Sequence, residues 1–120
     1  MTKRNKYPVE VPVLSARDMI TGKYGSKNCH CLAGWVRFVF LKRNTGTLLQ
    51  SEVMAAGFQR VTECILRAGK KICPKFAATK AKSITILNDA YCRNNVQRAA
   101  VWNLAMFYLG YTEGNPQPES

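Results

Sequence analysis

Residues 94–111, NNVQRAAVWNLAMFYLGY, decide how this chain folds. Between Ala99 and Leu109 ten apolar residues surround a single polar one, Asn103. The run is too short for a bilayer, which takes about 20 apolar residues in a helix. A helix apolar on nearly every side must be covered by protein on nearly every side. The stretch is therefore expected to be the central helix of a small, mainly α, single-domain bundle of about four helices, with room for one or two short strands. Asn94 or Asn95 is placed to cap it. Asn103 is expected to bond a neighbouring segment and fix its register, because a buried amide left unpaired costs about 1–3 kcal/mol.

Working back from that helix, Ser83 to Leu87 (SITIL) is β-branched and reads as a short buried strand or extended linker. Asn88 and Asp89 then turn the chain, through an Asx turn or by capping the next helix. Residues 70–82, KKICPKFAATKAK, hold five lysines and no acid. Pro74 stands where a helix can begin, so a short basic helix and a lysine-studded loop both fit. Before it, Ser51 is the expected N-cap of a longer helix, with Glu52 in its first turn. Met54, Phe58, Val61, Ile65 and Ala68 make its apolar stripe. Gln59, Glu63 and Arg67 face away, and Gly69 is the expected stop.

Cys29 to Lys42 (CHCLAGWVRFVFLK) suits either a helix or a buried strand over Trp35 to Leu41. Helix is preferred, because Cys29, Leu32, Ala33, Val36, Val39 and Phe40 fall on one helical face. Asn44-Thr-Gly46 is the expected turn after it. Ser15-Ala-Arg-Asp18 has the spacing of a capping box, predicting a short helix from Ala16 to Thr21 that stops at Gly22. Residues 22–28, GKYGSKN, lack the spacing of a phosphate-binding P-loop and read as a connector. Residues 1–13 read as a basic arm carrying Lys3, Arg4 and Lys6. Pro8 and Pro12 make it extended chain or an edge strand. Residues 14–111 form the helical domain. The last nine, TEGNPQPES, read as a disordered tail.

The charge is the strongest functional signal. Eighteen Lys and Arg against seven Asp and Glu give +11. No acid lies between Asp18 and Glu52, nor between Glu63 and Asp89. Such a field draws polyanions, of which nucleic acid is the commonest. Lys70, Lys71, Lys75, Lys80 and Lys82, sharing a face with Lys3, Arg4 and Lys6, would track a phosphate backbone. Tyr7, Tyr24 and Phe76 lie near these charges and are candidates to stack on exposed bases. DNA and RNA fit equally, and no signature of base-specific readout is present. A protein-interaction module docking on an acidic partner is the alternative, with Trp35 and Tyr111 as its aromatic anchors.

Chemistry of other kinds finds little support. Five cysteines make no tidy disulfide framework. The N-terminal MTKRNKYPVEV lacks the apolar run of a signal peptide, so a reducing cytoplasm is the expected compartment. Cys29-His30-Cys31 supplies metal-ligand types, with Cys73 and Cys92 to complete a set. Structural zinc sites, however, use two pairs spaced by two to four residues, so no metal or cofactor is expected. His30 is the sole histidine. Adjoining residues of a helix point different ways, so a nucleophile–base contact with its neighbours is disfavoured and no enzyme is expected.

Two short motifs carry a resemblance. Cys31-Leu-Ala-Gly34 precedes an apolar helix, and Ile84-x-x-x-Asn88-Asp89 precedes Val96-x-x-Ala99. Together they resemble a group of small helical phage and bacterial proteins of unknown function. That group shows Cys-x-x-Gly-Ala early and Trp-Asn-Asp before its last helix. Here Trp35 takes the place of the alanine and Leu87 that of the tryptophan. The resemblance implies an all-helical fold and a phage or bacterial origin, with the host cytoplasm as the compartment for a phage protein. It implies no activity.

Overall fold

Asn94 opens the last helix: its Oδ1 accepts the backbone N–H of Gln97 at 2.9 Å, satisfying one of the donors that a helix start leaves open. A computed structural model describes residues 8, 10–19, 30–42, 50–80 and 83–111. Six α-helices occur among these: α1 (Leu32–Phe40), α2 (Gln50–Ala55), α3 (Gln59–Ile72), α4 (Pro74–Ala77), α5 (Ile84–Ile86) and α6 (Asn95–Tyr108). A 3₁₀ turn at Ala16–Asp18 precedes them, and α5 continues as a π-helical turn over Leu87–Tyr91. The only β pairing among the described residues is a bridge between Met19 and His30. The mainly α reading thus holds.

The two longest helices, α3 and α6, pack on each other, and the Arg67 guanidinium of α3 lies 4.3 Å from the Tyr108 ring of α6. Trp102, fully buried on α6, meets Trp35 and Phe40 of α1 at ring distances of 6.2 and 6.3 Å. Coverage of α6 is less complete than its composition suggests. Val96 and Phe107 are 65% and 62% exposed, because only the face bearing Arg98, Ala99, Val101, Trp102, Ala105 and Met106 turns inward.

The extended N-terminal segment runs along α6, held by its side chains. Asn103 Oδ1 accepts from Leu14 N at 2.9 Å and its Nδ2 donates to Leu14 O at 2.8 Å. Trp102 Nε1 donates to Pro12 O at 2.9 Å, and the Tyr111 hydroxyl donates to Pro8 O. Val11 and Leu14 belong to the core while Val13 is exposed. The segment read as an arm is therefore docked over residues 8 and 10–13. Lys3, Arg4 and Lys6 lie outside the described residues, as do the connector 22–28, the turn 44–46 and the tail. Asp18 accepts the Ser15 N–H at 2.8 Å, as the capping-box spacing predicts. The helix it starts ends at Asp18, and Met19 is already extended.

Three elements correct the sequence reading. The expected Ser51–Gly69 helix is two helices, and it begins at Gln50, so Ser51 lies inside α2 rather than capping it. Gly57, at φ 84°, is the reason for the division. Its N–H reaches Met54 O and the Phe58 N–H reaches Val53 O, the paired bonds of a Schellman stop with its apolar contact between Val53 and Phe58. Gly110, at φ 105°, ends α6 the same way, with bonds to Phe107 O and Met106 O. Met54 consequently falls outside the stripe and is exposed.

Gly69, expected as a stop, sits inside α3 at a close crossing. A Cβ placed there would come within 2.5 Å of Leu87 Cδ2 and 2.7 Å of Leu87 Cδ1. The third correction is residues 83–87, expected as a short buried strand or extended linker, which are helical from Ile84 on. Ser83 Oγ accepts the Ile86 N–H at 3.3 Å, and Ile84, Leu87 and Asn88 share the buried face at helical spacing. Asn88 caps, but across the fold: its Oδ1 accepts the Leu32 N–H at the start of α1 at 3.1 Å.

Two stability predictions follow from this packing. Replacing Asn103 by Ala strands the Leu14 N–H and C=O, and is expected to cost about 1–3 kcal/mol in urea denaturation. Gly69→Ala should destabilise by about 1–2 kcal/mol, the crowding against Leu87 outweighing the gain in helix propensity. Combined with Leu87→Ala it should cost less than the sum of the two single changes.

Candidate functional site

The basic stretch folds into a corner where α3 ends, α4 begins and the chain returns into α6. Lys70 and Lys71 occupy the last turn of α3, where cations suit the helix dipole. Cys73 breaks the helix with an extended conformation, and Pro74 takes the first position of α4. Phe76 is fully buried and rests 5.3 Å from the Tyr91 ring, which fastens α4 to the π turn. Lys70, Lys71, Lys75 and Lys80 are all exposed. Lys82, with Lys3, Arg4 and Lys6, lies outside the described residues, so the face expected to join the two clusters does too.

Beside this corner lies a cavity of about 510 Å³ lined by Cys73, Pro74, Lys75, Ala90, Tyr91, Arg93 and Gln97. Three elements shape it. Pro74 and Lys75 come from α4, Ala90 and Tyr91 from the π turn, Arg93 from just before the Asn94 cap and Gln97 from the first turn of α6. Gln97 Oε1 accepts the Arg93 N–H at 2.7 Å while the Gln97 N–H goes to Asn94. This resembles a capping box whose return bond falls one residue early, and it fixes Arg93 at the rim. The volume falls in the range of ligand sites, roughly 300–1,000 Å³.

The thiols beneath it are buried. Cys73 Sγ donates to Gln97 Oε1 at 3.9 Å. Burial pushes the Cys73 and Cys92 thiols up, Cys92 to about 12, against the smaller opposing pull of Arg98. Cys64 on α3 is raised by burial as well. Raised thiols are poor nucleophiles at neutral pH. Arg98 is 4% exposed and ties the loop together, donating to Asn88 O, Asn95 Oδ1 and Cys92 O.

Tyr7, Tyr24 and Cys29 lie outside the described residues, and the other sequence candidates are structural. Phe76 is in the core and presents no face to a base. Trp35 and Tyr111, expected as docking anchors, are 8% and 2% exposed, taken up by packing and by bonds to Asp18 O and Pro8 O. His30 is buried against Trp35 and Phe38, with ring distances of 4.8 and 5.2 Å. Among the described residues no three His, Cys, Asp or Glu side chains converge to hold a metal. No helix among them is long and apolar enough to cross a membrane. Sequence reasoning missed Tyr91, Arg93 and Gln97. The Asn94-x-x-Gln97 spacing was the available signal, since a capping pair places the residue before it.

No family model, curated protein or solved structure matches the chain.

The thiols give a prediction with a definite sign. Below pH 9 both folded and unfolded Cys92 hold their protons. Between 9 and about 12 the unfolded thiol ionises while the folded one does not, so stability falls as pH rises through that window. Cys92→Ala should lower stability at pH 7 by leaving a small cavity. Its stability should then fall less steeply from pH 9 to 11 in denaturation curves.

Proposed function

We propose that this chain is a non-catalytic basic accessory protein that binds nucleic-acid backbone through the α3–α4 corner. One observation carries the reading. Lys70, Lys71, Lys75 and Lys80 stand exposed along a stretch with no acid from residue 64 to 88, and Arg93 joins Lys75 at the cavity. Lysines at a helix C-terminus have a structural use, since they offset the dipole. That use accounts for Lys70 and Lys71, whereas α4 is a single turn of four residues, so the dipole does not decide the role of Lys75.

Docking on an acidic protein is the second reading, and it rests on the same charges. The aromatic anchors it called for are buried, which leaves it the weaker of the two. The burial of Cys31, Cys64, Cys73 and Cys92 as free thiols suits a reducing cytoplasm.

The test is binding to labelled single- and double-stranded DNA and RNA across a salt series. Log K should fall linearly with log salt. Changing Lys70, Lys71, Lys75 and Lys80 to Gln should flatten the slope by about 2.8–3.6, at roughly 0.7–0.9 per phosphate contact. Absence of binding at about 50 mM salt, where phosphate contacts are strong, would end this reading.

A further inference from the structure

We infer that the cavity between α4, the π turn and α6 binds the terminal phosphate monoester of a nucleotide, with Lys75 and Arg93 on the phosphate and Tyr91 beside the base. It deepens the nucleic-acid reading, which it needs only for the source of the nucleotide, free or at the end of a strand.

The lining is one-sided in its chemistry. Lys75 and Arg93 bring two cations, and none of the described lining residues is Asp or Glu. Gln97 has its Oε1 already committed to Arg93 N and Cys73 Sγ, so what it offers a ligand is the two N–H donors of Nε2. Asp89 is the nearest acid in sequence, and its Oδ1 accepts from Asn88 Nδ2 at 2.7 Å. Donors without acceptors define a site for an oxyanion.

Arg98 strengthens that demand from within the protein. Its guanidinium is buried and, among the described residues, donates only to neutral oxygens: two backbone carbonyls and the Asn95 amide. No carboxylate neutralises it there. It bonds the carbonyl of Cys92 at 3.1 Å, the residue between Tyr91 and Arg93 of the cavity lining. A buried cation without a counter-ion raises the potential around it, and the low local dielectric lets that potential extend to an anion nearby. A phosphate monoester, carrying up to two charges, suits three cations better than the single charge of a backbone diester.

The rest of the lining fits a base. Pro74, Ala90 and Tyr91 are the apolar share, and Tyr91 is half-buried and backed by Phe76. An aromatic ring held in this way is a stacking platform tolerant of base identity. A cavity of about 510 Å³ has room for both parts of a mononucleotide.

The experiment compares a 5′-phosphorylated strand with a 5′-hydroxyl strand two nucleotides longer, which matches its charge, by fluorescence anisotropy. AMP, adenosine and inorganic phosphate are titrated in parallel by NMR. At least a tenfold preference for the phosphorylated end is expected. AMP should shift the resonances of residues 91, 93 and 97, and adenosine should not. Lys75→Ala with Arg93→Ala, both exposed positions, should abolish the preference yet leave salt-dependent strand binding through Lys70, Lys71 and Lys80. Tyr91→Leu should weaken AMP and spare inorganic phosphate.

Equal affinity for the two strands, with no AMP shift at residues 91, 93 and 97, would overturn the inference and leave the backbone reading standing. A preference surviving the double change would overturn it as well. AMP binding there without affinity for any strand would uphold the cavity and end the backbone reading.

Discussion

The structure depends on one helix supplying hydrogen-bond partners to chain that cannot supply its own. Extended backbone next to a core has no ladder to satisfy it, and a buried peptide group without a partner is costly. Helix α6 meets this need at both ends. Trp102 and Asn103, with Tyr111 just beyond the helix, take the carbonyls of Pro8, Pro12 and Leu14 and the N–H of Leu14. Arg98, one turn earlier, takes the carbonyls of Asn88 and Cys92. The same helix buries Trp102 against Trp35 and Phe40 and packs on α3. Polar and apolar demands thus converge on one element, so its position is determined twice over.

That arrangement has an electrostatic consequence. Arg98 is placed to satisfy backbone, not to meet an acid, so its charge remains uncompensated by any carboxylate it bonds among the described residues. Lys75 and Arg93 stand nearby at the cavity. Three cations beside one cavity raise the folded state's self-repulsion, and an anion bound there would relieve it. Local stability and ligand binding are therefore linked through one field: whatever neutralises the corner also favours the native state.

Much of the fold was legible because long periodic segments dominate it. The α6 pattern, the Asn94 cap, the role of Asn103 and the helical reading of residues 32–40 all rest on local spacing or on the cost of unpaired groups. The misreadings of Gly69 and of residues 83–87 share a cause, a deciding contact far away in sequence, whereas the stop at Gly57 is made by bonds within five residues. Gly57 and Gly69 are both glycines in an apparently continuous amphipathic run. One adopts a left-handed conformation and stops a helix, while the other is crossed by Leu87. Residues 83–87 look like a strand by composition, yet the cap at Ser83 and the burial of Leu87 and Asn88 against α1 and α3 make them helical. Local propensity was overridden by tertiary contact.

The candidate site was half legible for the same reason. Lysine density is a property of the sequence, and four of the lysines proved exposed. The cavity is not such a property. It exists because Phe76 leaves the surface to anchor α4 against Tyr91, and because the Gln97 side chain turns back to hold Arg93. An aromatic read as a base-stacking residue became the support of another aromatic that can serve as one. Charge alone suggests a polyanion; a concave lining with no acid among its described residues and a backed aromatic ring is what supports proposing an anion joined to a flat apolar group. That step, from field to shape, is where the structure adds to the sequence.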